Sequence, residues 1–426
     1  MAAPVAYRTP RPGARTSSEI EGALAHGSIR SLYQPLVDLY SNQTIGYEAL
    51  ARGPLRSAIE RPRELFEAAA AAGRERELEW QCQRAALEGA IATPLEGRAL
   101  FLNVEPRLLG GERPRQLQEL TARAVSLFPV FVEFTERSLT DRPAELLATA
   151  RRLRSEGIGI ALDDVGADPR SLALMPILAP DVIKLDLRLV QENPSGQVAE
   201  IVHAVNAEAE RTGAHVLAEG IETEEHRRTA LALGAQYGQG WLFGRPEPLR
   251  RSPAGPSCGP IRRPNAASRA YKTPFDLVTS KRDTRRGTKT LLLALSRQLE
   301  AQASTLGSTA LMLSTFQEAA FFTAPTAARY REIASNAALA GALGVGLPEI
   351  PAPGVRGVAL DDDDPLRGEW NVAVIGPHFA AAFVARDLGD RTKDMDRRFD
   401  FALTYERSLA IEAAGAMISR LAPLPE

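Results

Sequence analysis

The chain has 426 residues, 44% of them hydrophobic and 24% charged, with 51 basic and 53 acidic side chains and a net charge of -2. That length exceeds one ordinary core and predicts two domains. The charge balance argues against a dedicated nucleic-acid-binding protein, and no nucleic-acid polymer is expected as a partner.

Residues 1–16 are rich in Pro, Arg and Gly and read as a disordered lead-in. From 17 to 248, eight short apolar runs alternate with helix-like stretches. In chain order they are LYQ (Gln34), IGYEAL (Glu48), ALFLN (Asn103), VFVEF (Glu133), IGIALDD (Asp163, Asp164), VIKLD (Lys184), HVLAE (Glu219) and YGQGWLF (Gln239). Residues 62–91, broken near Gly73, and residues 142–156 and 196–212 have helical periodicity. A polar residue at the end of each run is how a (β/α)8 barrel assembles an active site, because strand ends converge on one face. The fold class read from the pattern is α/β, a TIM-like (β/α)8 barrel. Trp241 and Phe243 are expected on the last strand, mostly in the core.

Residues 249–269 place prolines among arginines without periodicity and read as a linker. Residues 270–422 predict a smaller mixed α/β domain. Its expected helices are 288–303, 326–343 and 401–421, and its expected strands 309–313, 355–360 and 371–375. The four aspartates at 361–364 lack the ligand alternation of a calcium loop and read as a solvated turn. Cys82 and Cys258 form neither a disulfide framework nor a zinc spacing, and His203, His215 and His226 have no partner at ligand spacing. No apolar run approaches the roughly 20 residues that span a bilayer, so a cytoplasmic protein without a membrane span is expected.

Glu48, Glu133, Asp163 and Asp164 follow apolar residues at positions that should be half-buried. Burying four unpaired carboxylates is prohibitive, and Lys184 is the only cation among them. Divalent ions are the natural compensation. Carboxylates with the Asn103 amide suit Mg2+ or Mn2+ rather than zinc. Two such ions about 3.5–4 Å apart would clamp a phosphodiester and generate hydroxide at neutral pH. Neighbours on a regular strand face opposite ways, but a chain turning at a strand end can aim Asp163 and Asp164 at one site.

YQPLVDL followed by GYEALAR, which contains Glu48-Ala49-Leu50, and then FLNVEP, VEFTE, LDDVG, IKLD, AEGIE and QGWLFGRP in that order, resembles the EAL family of cyclic di-GMP phosphodiesterases. The resemblance implies hydrolysis of cyclic di-GMP to linear pGpG with two Mg2+ or Mn2+ ions, in a homodimer. It implies that Glu48, Asn103, Glu133 and Asp163 hold one ion, and that Asp163, Asp164 and Glu219 hold the other, Glu219 directly or through water. Lys184 would polarise the nucleophilic water, Glu219 would act as general base and Gln239 would position the water network. Glu136 would tether the loop after Asp164 and link the site to a dimer contact. Gln34, Leu50, Arg52 and Asp186 would contact substrate, Arg52 at a phosphate and Asp186 at a guanine edge. Val165 stands where the family usually has Phe, and Pro169 should stiffen the loop that follows. NVEP replaces the commoner N-x-S-P pattern beside Asn103.

The second domain resembles the DICT sensory family through TPFDLV, TFQ, DDPLRGEW, GPHFAAAFVARD and RRFDFALTYER. This implies regulation by an unnamed signal or protein partner. Two other readings of the barrel stay open at this point: an inactive receptor that binds cyclic di-GMP and signals through its second domain, and an enolase-type barrel. The latter lacks a second strand-end base. Taken singly, Glu136 and Asp186 read more simply as a loop residue or a helix cap.

Overall fold

A computed structural model describes residues 14–105, 108, 113–135, 142–166, 171–192, 196–250, 273–390 and 392–421. Glu136, Pro169, Cys258 and most of the expected linker lie outside the described residues.

Eight strands close into a barrel in chain order: β1 (Arg30–Asp38), β2 (Thr44–Arg52), β3 (Ala99–Asn103), β4 (Val130–Thr135), β5 (Gly159–Val165), β6 (Val182–Leu185), β7 (His215–Ala218) and β8 (Tyr237–Gln239). The described helices around them are α1 (Ala14–Ala25), α2 (Pro62–Ala71), α3 (Glu75–Ala92), α4 (Arg115–Leu127), α5 (Pro143–Ser155), α6 (Ser171–Leu178), α7 (Leu187–Gln191), α8 (Gly196–Thr212) and α9 (Glu224–Ala232). α2 and α5 open on a proline, where a missing N–H breaks no helical bond. α1 starts inside the segment expected to lack structure, and its Ile20, Ala23 and Leu24 join a cluster with Ile59, Leu65 and Ala68.

A regular (β/α)8 repeat would make all eight strands parallel. Here β1 runs antiparallel to both β2 and β8. Residues 39–43 are too few for a crossover, so β1 and β2 form a hairpin.

The interior is layered with a period of two. Leu36, Phe101, Phe131, Ala161, Val182, Leu217 and Tyr237 form an apolar floor with Ile45 and Ala99. Phe101 and Phe131 stack with ring centroids 4.8 Å apart. Gly159 leaves room for them, since a Cβ there would lie 2.3 Å from the Phe131 ring. Two residues beyond the floor, on β3 to β8 or, for Glu219, just past the end of β7, stand Asn103, Glu133, Asp163, Lys184, Glu219 and Gln239. On the reversed β1 the same step backwards from Leu36 gives Gln34. Strand alternation thus lifts polar side chains above a sealed floor.

The second domain is a seven-stranded sheet in the order β12-β11-β10-β13-β14-β15-β9. Its strands are β9 (Arg285–Thr288), β10 (Leu311–Glu318), β11 (Leu339–Val345), β12 (Val355–Ala359), β13 (Glu369–Ile375), β14 (Ala380–Asp387) and β15 (Arg398–Thr404). Its helices are α10 (Pro274–Thr279), α11 (Lys289–Leu306), α12 (Ala324–Asn336) and α13 (Arg407–Ile418). Two helices expected from sequence are corrected. Residues 326–343 hold all but the first two residues of α12 and then the first five of β11, and residues 401–421 hold the end of β15 and then α13. A strand covered on both faces, such as LAGALGV, reads as a continuous apolar run that periodicity cannot separate from a buried helix.

The two units share an apolar seam. α6 (SLALMPIL) carries no charge, and every one of its residues is buried. An outer barrel helix normally shows one apolar stripe; one that is apolar all round is covered on both sides. α13 supplies that cover: it packs on α6 and buries Leu409, Ala410 and residues 413–418. Leu172 and Met175 belong to one continuous cluster with Ala413 and Met417. Among the described residues no helix is long and apolar enough to cross a membrane.

Candidate active site

The polar layer of the barrel brings Glu48, Asn103, Glu133, Asp163, Lys184, Glu219 and Gln239 to one mouth. Lys184 Nζ, fully buried, sits 2.7 Å from Glu219 Oε1, 2.8 Å from Glu133 Oε1, 2.9 Å from Asp163 Oδ1 and 3.8 Å from Glu48 Oε2. Asn103 Nδ2 donates to Glu48 Oε1 at 2.6 Å. Gln239 Nε2 donates to Glu48 Oε2 at 2.6 Å and to Gln34 Oε1 at 3.1 Å.

One ammonium cannot satisfy this many acids. Both Glu133 oxygens and Asp163 Oδ1 are buried without a well-directed hydrogen bond, and so is Lys184 Nζ itself, despite the short separations. Its three N–H bonds cannot align with four carboxylates at once.

The electrostatics register the surplus. Burial, with Glu48 beside it, pushes the Glu133 carboxyl well above its ordinary range. Burial raises Glu219 to about 8, partly offset by Lys184. Burial and the neighbouring Asp163 raise Asp164 to about 6. Glu48 is lowered: burial opposes ionisation, but Lys184, Gln239 and Asn103 outweigh it. Lys184 is held well above its usual value, because Asp163 and Glu133 overcome the opposing effect of burial.

Asp163 and Asp164 share the site because β5 is irregular there. Its register with β6 shifts between Leu162 and Val165, and Asp164 has a φ of 57°. Asp tolerates this left-handed conformation better than most residues. The bulge turns Asp164 out toward solvent on the same side as Asp163. Asp163, Asp164 and Glu219 each offer an oxygen within 4.8 Å of the others. Orphaned carboxylate oxygens and an all-oxygen donor set fit a hard divalent cation.

The remaining expected residues divide. Gln34 lies in register with Glu48, and Leu50 with Leu32 toward the rim. Arg52, at the end of the strand that carries Glu48, lines a groove of 720 Å³. Its guanidinium donates to the Ala51 carbonyl and has no carboxylate partner among the described residues. Asp186 accepts from the Arg188 backbone N–H and Nε, both at 2.8 Å, so here it caps α7. Trp241 is corrected: it is 54% exposed, beyond the end of β8, with the Arg245 guanidinium 4.2 Å from its ring centroid. Gly240 ends the strand by pressing against Ile221, where a Cβ would lie 2.0 Å from the carbonyl oxygen. Sequence reasoning missed Arg30 and Arg61, which join Arg52 in the groove. Arg30 stands two residues before the first apolar run, and that position was the available signal.

The chain belongs to the EAL domain family, whose model matches residues 17–246. Residues 276–388 match the DICT model, described as a sensory domain in diguanylate cyclases and two-component systems. The cyclic di-GMP phosphodiesterase RocR of Pseudomonas aeruginosa is 31% identical over 240 residues, which cover 54% of this chain and 60% of that protein. The probable cyclic di-GMP phosphodiesterase PdeB of Escherichia coli is 27% identical over 54% of this chain and 45% of that protein. Among solved structures, the calcium and cyclic di-GMP complex of Klebsiella pneumoniae BlrP1 is 29% identical, with a TM-score of 0.47 over 51% of this chain and 56% of that one. The chain thus spans 60% or less of the length of each of these relatives.

Proposed function

We propose that the chain hydrolyses cyclic di-GMP to linear pGpG with Mg2+ or Mn2+, under the control of its second domain. The observation that carries this reading is the surplus of negative charge at the barrel mouth: among the described residues, five carboxylates, from Glu48, Glu133, Asp163, Asp164 and Glu219, cluster around one ammonium, that of Lys184. The likeness to named phosphodiesterases supports the substrate.

Glu48, Asn103, Glu133 and Asp163 would hold one ion, and Asp163, Asp164 and Glu219 the other. Bound there, the ions supply a hydroxide at neutral pH and neutralise charge on the phosphodiester. The chain's own groups supply the rest. Lys184 holds a positive charge beside the reacting water, and Gln239 fixes the Glu48 carboxylate. Glu219, freed of its proton by the ion, would accept one from water. Arg52, without a carboxylate partner among the described residues, offers its guanidinium to a substrate phosphate. The groove beside it carries Arg30, Arg52 and Arg61 against Glu60 and Glu64.

Incubating the purified chain with cyclic di-GMP and either metal tests the reading by chromatographic detection of pGpG. Glu48→Ala should abolish turnover. Nucleotide binding without product in metal-replete buffer would favour the receptor reading, and wild-type activity in Glu48→Ala would refute the site.

A further inference from the structure

The second domain encloses a cavity of 390 Å³ that plays no part in the barrel chemistry. Its volume falls in the range of roughly 300–1,000 Å³ typical of small-molecule sites. It lies between α11, the end of β10, the short turn Ala319–Phe321 and the turn Asp394–Asp396. Phe316, Phe321, Trp370 and Phe399 all line it. Four aromatic rings around one small space is a concentration, since aromatic residues make up only 6% of the chain.

These rings are braced from behind. Trp370 meets Phe383 and Phe399 edge-on, at 5.8 and 5.9 Å between centroids. Phe316 meets Phe322 and Tyr330 in the same way, at 5.1 and 5.6 Å. Rings already fixed in place lose little freedom when a guest enters. Trp370 is only half-buried, and its indole N–H has no partner among the described residues.

The charges of the wall do not cancel. Lys289 pairs with Asp394 at 2.7 Å and Arg329 with Glu300 at 3.0 Å. Arg297, also in the wall, has no carboxylate partner among the described residues. Among the described residues of the wall, three cations therefore face two anions, with one guanidinium left over.

We propose that this cavity binds a small planar aromatic anion, its ring against Trp370 and Phe316 and its carboxylate or equivalent group at Arg297. The site needs neither a divalent cation nor a phosphodiester, so it stands or falls apart from the barrel reaction.

Calorimetric titration of the full chain with benzoate, 2-naphthoate and indole-3-acetate tests this, with indole and hexanoate as probes that lack the charge or the ring. At least one aryl acid should bind, with indole and hexanoate each about tenfold weaker or worse. Arg297→Ala, an exposed change that leaves the core intact, should weaken the aryl acid about tenfold and leave indole unaffected. Trp370→Ala should remove binding of both, with circular dichroism confirming that the variant is folded. No aryl acid binding at up to about 5 mM, or hexanoate matching the aryl acids, would overturn the proposal. So would an Arg297→Ala variant that binds the aryl acid like the parent, and this last result does not depend on the Trp370 variant folding.

Discussion

Glu369 in the second domain and Glu133 in the barrel are equally hidden, at 0% and 1% exposed, yet their surroundings are opposite. Glu369 accepts from Arg386 at 2.8 Å, from the Phe275 backbone N–H at 3.1 Å and from Asn371 Nδ2 at 3.0 Å. Its charge is matched, and its oxygens are used. Glu133 shares one lysine with three other acids, and neither of its oxygens has a well-directed donor. A buried carboxylate therefore does not by itself mark a site. An uncompensated set of them does, because nothing in the fold alone justifies the desolvation.

The largest expected effect is on turnover. Asp163→Asn, which weakens the group proposed to help hold both cations, should lower kcat by at least about a thousandfold, equivalent to roughly 4 kcal/mol of transition-state stabilisation. Activity within tenfold of the parent would place the reaction elsewhere. Glu369→Ala should instead act on the fold. Leaving Arg386 half-unpaired should cost about 3 kcal/mol in urea denaturation, with Mn2+ affinity of the folded variant unchanged. A change in that affinity would erase the contrast between the two regions.

The next prediction concerns pH. Folding raises Glu219 to about 8, so from the ordinary carboxylate range up to that value the folded chain keeps a proton that the unfolded chain has released. Stability in EDTA should fall as pH rises through this window. Mn2+ must displace the proton, so its affinity should climb over the same window and level off above it. A flat affinity profile between pH 6 and about 8 would contradict the raised value. The smallest effect is the most discriminating. Glu133→Gln, which mimics the protonated acid, should stabilise the cation-free chain by about 1 kcal/mol. Destabilisation would mean that Glu133 is a structural acid like Glu369.

Much of the candidate site was legible in the sequence because a strand-end polar residue interrupts an apolar run, and an interruption is visible without coordinates. Glu48, Asn103, Glu133, Asp163, Lys184, Glu219 and Gln239 all surfaced in that way. The reversal of β1 depends on loop length rather than on pattern, although the five residues between Asp38 and Thr44 were there to be counted. The contribution of Asp164 depends on a bulge with positive φ, which no periodicity reports. Asp186 could not be told from a helix cap by spacing, and in the structure it caps α7. In the second domain, β11 was hidden because Leu339–Val345 is apolar on both faces. The joint between the domains had a signal that went unread: SLALMPIL has no solvent face, so something had to cover it.

That charge-free helix is the next described element after Asp163 and Asp164, and α13 lies against it. Removing residues 270–426 would strip α6 of this cover and expose apolar side chains to water, so the barrel and its neighbour cannot be treated as beads on a string. Thermodynamic reciprocity adds a constraint. If an occupant of the second domain alters cation affinity at the mouth by some factor, the cation must alter the affinity for that occupant by the same factor. Each can then be measured through the other, using whichever one is easier to titrate.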